Sequence, residues 1–214
     1  MIVLAIDRST DVPSVALAAS GKIVGRIFEG ENARSADWPG RVKGFLSESS
    51  LSFCDLDRLV VGTGPGSFAG IRGALAFAQG VAIGIRAKRS AGTTDPIVYG
   101  LPSAVALTQG EGLTAVVGDA RRGLFWVVVY ADARMVTDFR LVTREELAMA
   151  VPETAIVTTP DDVRIGALLA EVFGARFCGG RTPLAEHLAR LAVAHPETLV
   201  PEPLPIYLSP AVRA

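Results

Sequence analysis

RLVVGTGPGSFAGIRGALAFAQG, residues 58–80, is an apolar run that breaks on a glycine-proline-glycine turn and resumes with helical spacing. A short buried strand that turns sharply into a helix is the unit of an α/β layer, in which the helix packs back on the sheet. Such a turn often cradles a phosphate on exposed N–H groups, so Gly64, Gly66 and Ser67 are the first candidate ligand residues. Between Phe68 and Ile85 only Arg72 and Gln79 are strongly polar. A helix apolar nearly all round is a buried helix. Ile71, Leu75, Ala78, Ala82 and Ile85 follow a 3-4-3 spacing suited to a sheet. Gly73, Ala76, Gly80 and Gly84, flanked by Phe77 and Val81, let a second helix approach closely.

Outward from this stretch the hydrophobic periods repeat. IVLAID (2–7), SVALAAS (14–20) and KIVGRIFEG (22–30) read as three strands, followed by a helix near 36–50, the strand at 58–64 and the long helix. After a loop-rich connection come LTAVVGD (113–119), LFWVVVYA (124–131), a strand through Met135 to Val142, and a helix from about Thr143. Thr143 and Glu146 have capping-box spacing. TAIVTT (154–159) and an acid-capped helix from Asp161 to Phe173 complete a second pass. The expected fold class is therefore α/β, with two βββαβα lobes over residues 1–100 and 101–214. PLAEHLARLAVAHPE (183–197) reads as a helix, and PEPLPIYLSP (201–210) as an extended tail packed by Tyr207 and Leu208.

Composition narrows the function classes. Half of the 214 residues are apolar and the net charge is −1, so no global field recruits nucleic acid or an anionic surface. Arg86, Lys88 and Arg89, and the pair Arg121 and Arg122, are local basic spots. Two separated cysteines, Cys54 and Cys178, make no disulfide framework and suit a reducing compartment. An aspartate at position 7 interrupts the first apolar run too early for a signal peptide, and no apolar run reads as long enough to cross a bilayer. A cytoplasmic location is the expectation.

Both lobes open with a strand ending in aspartate, Asp7 and Asp119, and a turn into the next strand. This twofold plan resembles the ribonuclease H-like, actin, Hsp70 and sugar kinase superfamily, in which two such turns grip nucleotide phosphates across a cleft. More specifically, LAIDRST with SVAL, GTGPGSFAGIRGALAFAQGVA, GDARRGLFWVVVY and PIYLS, in that order along nearly the whole chain, resemble the TsaB (YeaZ) family. The resemblance implies a non-catalytic partner of the transferase TsaD in threonylcarbamoylation of adenosine 37 of tRNA, within an assembly that includes the ATPase TsaE. Contact with tRNA would then be indirect or weak. The chain departs from the family pattern at Arg8 and Ala69, at ARSAD (33–37), and at RAKRSAGTTDPIVYG (86–100), which has no counterpart there.

The residue chemistry points the same way. His187 and His195 are eight residues apart, about 12 Å along a helix, too far to share one ion. There is no HExxH, no GxSxG and no P-loop, so no catalytic residue, metal or cofactor is assigned. A vestigial nucleotide site would comprise Asp7, Gly64, Gly66, Ser67, Asp119 and Gly123; against it, DRSTDVPS (7–14) lacks glycine and contains Pro13. The competing reading is a small actin-like ATPase or carbamoyl/phosphoryl transferase using Asp7. Trp38, Val42, Phe45 and Leu46 form an apolar stripe that, with Gly73, Ala76, Phe77, Gly80 and Val81, makes a two-helix face. Paired with two partner helices it gives an interface of about 1,600 Å². Trp38 and Phe45 are the expected anchors, and homodimerisation of the isolated chain through the same face is expected.

Overall fold

IVLAID is apolar at every position but its last, the composition of a strand covered on both faces. In the computed structural model, which describes residues 1–28, 37–88, 97–108 and 111–208, it is the central strand of a six-stranded sheet. In chain order the elements are β1 (Ile2–Asp7), β2 (Ser14–Ala19), β3 (Lys22–Phe28), α1 (Trp38–Glu48), β4 (Arg58–Gly62), α2 (Phe68–Lys88) and β5 (Ile97–Leu101). They continue with β6 (Leu113–Arg121), β7 (Leu124–Ala131), β8 (Arg134–Met135), β9 (Arg140–Val142), α3 (Leu147–Ala150), β10 (Ile156–Thr159) and α4 (Asp162–Phe173). Last are β11 (Phe177–Gly180), α5 (Ala185–Ala194) and β12 (Val200–Pro201).

The first sheet runs β12-β5-β4-β1-β2-β3. β1, β2 and β3 form an antiparallel meander, with Ile6 opposite Val15, while β4 and β5 run parallel to β1. The second runs β11-β10-β6-β7-β8, with β9 also on β7. There β6 and β7 are antiparallel and β10 and β11 parallel to β6. Both sheets thus have a central strand, an antiparallel flank on one side and two parallel strands on the other, and the duplicated α/β plan read from the sequence is the observed one. Parallel neighbours need a helical crossover, which α2 supplies between β4 and β5 and α4 between β10 and β11.

Strand alternation assigns the two faces of the first sheet. Leu4, Ile6, Leu59 and Val61 join the buried cluster of α1 and α2, so Val3, Ala5 and Val60, equally buried, point the other way. That second face is covered by α5, which lies along β1 to β4 through Leu188, Ala189 and Ala192. Ala185 N–H donates to Ser14 Oγ at 2.9 Å, and Val200 of β12 pairs with Gly100 of β5.

Several local expectations differ from the structure. The sequence boundary at residue 100 put everything beyond it in one lobe, yet the compact units are Met1–Ser103 with Leu184–Pro205, and Ala104–Pro183 with residues 206–208. The sheet face left open by α1 and α2 draws α5 back to it. The fifth strands, β5 and β11, were not among the expected elements: FCGG has two glycines and IVYGL follows residues without strand pattern. The single strand expected at 135–142 is two short ones, β8 and β9, and the helix expected from Thr143 is one turn. Half of the capping box forms there, Thr143 N–H donating to Glu146 Oε2 at 2.8 Å. Asp161 makes no side-chain cap on α4. Residues 33–36 of ARSAD and 89–96 of the 86–100 stretch, with the basic Arg89, lie outside the described residues. Tyr207 is about half exposed.

Candidate functional site

The turn that opens α2 is held by the chain's own backbone. Gly64 adopts a left-handed φ of +92°, donates its N–H to Ser103 Oγ at 3.0 Å and accepts Ser103 N–H at 2.8 Å. Ser67 N–H donates to Ser9 O at 2.7 Å. A side chain at Gly66 would collide with Ser9 O, and one at Gly70 with Arg8 O. The glycines therefore let the β1–β2 turn lie against the start of α2. The Ser9 carbonyl takes the N–H group that a phosphate would need, and carbonyl oxygens repel an anion there. Asp7 at the end of β1 is fully buried, its Oδ1 accepting the Ser9 N–H at 2.9 Å and the Ser9 hydroxyl at 2.6 Å. Burial pushes this carboxyl above the usual carboxylate range, with Ser103 and Ser9 pulling it partly back. Its Oδ2 makes no hydrogen bond of normal geometry. Asp7, Gly64, Gly66 and Ser67 come together, as a packed joint.

Asp119 and Gly123 belong to the other lobe. Asp119 Oδ1 accepts Arg121 N–H at 2.8 Å, and Oδ2 lies 3.0 Å from Arg164 Nε and 3.4 Å from Arg121 Nη1. Its own N–H donates to Asp161 Oδ2 at 2.8 Å, and Asp161 pairs with Arg164. This explains why Asp161 does not cap α4. Two acids and two arginines balance in charge, and Asp119 fixes the left-handed turn of Arg121, Arg122 and Gly123. Among the described residues no three of His, Cys, Asp and Glu come together as a metal site.

The two-helix face divides. Trp38, Val42, Phe45 and Leu46 are all under 8% exposed and belong to the core of the first lobe, so they are not free anchors. The reason is that α1 has one apolar stripe and the sheet claims it: Phe45 sits against Gly25 of β3, and Trp38 meets Phe77 edge-to-face at 4.7 Å between centroids. α2 behaves differently. Ile71, Ala74, Leu75, Ala78 and Ile85 are buried, and Phe77, Val81 and Ala82 are half-buried. Ala69, Gly73, Ala76, Gly80 and Gly84 are exposed, as is Ile83 at 68%. A Cβ added at Gly80 or Gly84 would touch nothing. The helix thus has one packed side and one open apolar side. It is also long and apolar enough to cross a membrane by length and composition, contrary to the sequence reading, although its Ile71–Ile85 side is packed in the lobe core. The Ile71, Leu75, Ala78 and Ile85 stripe that the spacing marked for the sheet is the buried one, and the glycine spacing marked the other side, since a stripe of Gly73, Ala76 and Gly80 has little to bury in a core.

The model of a family described as TsaD, tRNA N6-adenosine threonylcarbamoyltransferase, matches residues 35–92, which include α1 and α2. The tRNA threonylcarbamoyladenosine biosynthesis protein TsaB of Escherichia coli is 31% identical over 139 residues, 62% of this chain and 56% of that protein. An uncharacterised protein of Mycobacterium tuberculosis is 34% identical over 136 residues, 61% of this chain and 59% of that one. The chain thus spans a little over half the length of the curated relatives it matches. Among solved structures, YeaZ from Pseudomonas aeruginosa superposes with a TM-score of 0.74 at 25% identity, covering 97% of this chain and 99% of that one. A second Pseudomonas aeruginosa structure, of a protein with similarity to peptidase YEAZ, gives 0.76 at 22% identity over 97% and 99% of the two chains.

Proposed function

Because the chain belongs to the TsaB (YeaZ) family, we propose that it acts in tRNA threonylcarbamoyladenosine biosynthesis as a non-catalytic scaffold that docks a TsaD-type transferase. The observation that carries this reading is the open, small-residue side of α2. An apolar helix face in water is unfavourable in a lone chain, and glycine and alanine at Gly73, Ala76 and Gly80 suit close approach of another helix. The docking surface is accordingly α2 itself, with α1 as its support. The joint around Asp7 and the ion-paired Asp119 favour a structural role for the two turns over phosphate binding. TsaE would join through the transferase.

Titration of the purified chain with the TsaD-type protein of the same organism tests this. The wild type should form a heterodimer, and Gly80→Trp, at a position where an added Cβ meets nothing, should weaken it about 100-fold, roughly 2.7 kcal/mol, with no loss of thermal stability. Wild-type affinity in the variant, or ATP turnover by the isolated chain that Asp7→Asn abolishes, would overturn the reading.

A further inference from the structure

We draw no further inference here: the strongest candidate, the exposed stripe of Val163, Ala167 and Ala170 along α4 in the second lobe, is an unpartnered apolar face, and nothing in the structure shows what covers it.

Discussion

Asp7 contributes to the pH response of the first lobe. Its pKa is raised in the folded chain by burial, so the fold is favoured by its protonated form. That stability is fully present below the carboxyl's unfolded pKa and is lost as pH rises through the raised folded one. Glu186 works in the opposite direction: hydrogen bonds from Arg190 and Arg26 hold its carboxyl below the usual range, giving stability present above its unfolded pKa and lost as pH falls through the folded one. Denaturant titrations should show Asp7→Asn to be more stable than the wild type near pH 8, by about 1–3 kcal/mol, with the difference shrinking towards pH 4. An Asp7→Asn variant less stable at pH 8 would show that the carboxylate is needed charged. The position of Asp7 was legible as a strand end before a turn. Its burial was not, because the Ser103 and Gly62 that enclose it are distant in sequence.

At the scale of elements, glycines in α2 and in the turn that opens it look alike and do opposite things. Gly66 and Gly70 touch the backbone of the β1–β2 turn, whereas Gly80 and Gly84 touch nothing. Gly66→Ala or Gly70→Ala should destabilise the chain by about 2–4 kcal/mol, since a backbone carbonyl cannot swing aside as a side chain can. Gly80→Ala should stabilise the isolated chain by up to about 1 kcal/mol through helix propensity. The same Gly80→Ala change should weaken partner binding; thermal unfolding and titration on one set of proteins read both effects. Helices α1, α2, α4 and α5 and the long strands were legible because their periods are strong. Strands β5 and β11 were not, being short and rich in glycine, and neither was the allocation of Trp38 and Phe45. An apolar stripe announces that it will be covered, without saying by what.

For the whole molecule, the decisive feature is the return of α5 to the first sheet. Val3, Ala5, Ala16, Ala18 and Val60 are each at most 1% exposed, and by alternation they point away from α1 and α2. Truncation after Pro183 should therefore leave an apolar sheet surface, and the fragment should aggregate or be cleaved rapidly in limited proteolysis; a soluble, protease-resistant fragment would contradict this. The arrangement also has a temporal meaning. Between Ser103 and Leu184 lie 80 residues (184 − 103 − 1) of the other unit. At translation speeds of about 5–20 residues per second, those residues alone take about 4–16 s to make, so the strands of the first segment wait at least that long for the segment that shields them. During that interval a nascent sheet with one bare side is a target for chaperones.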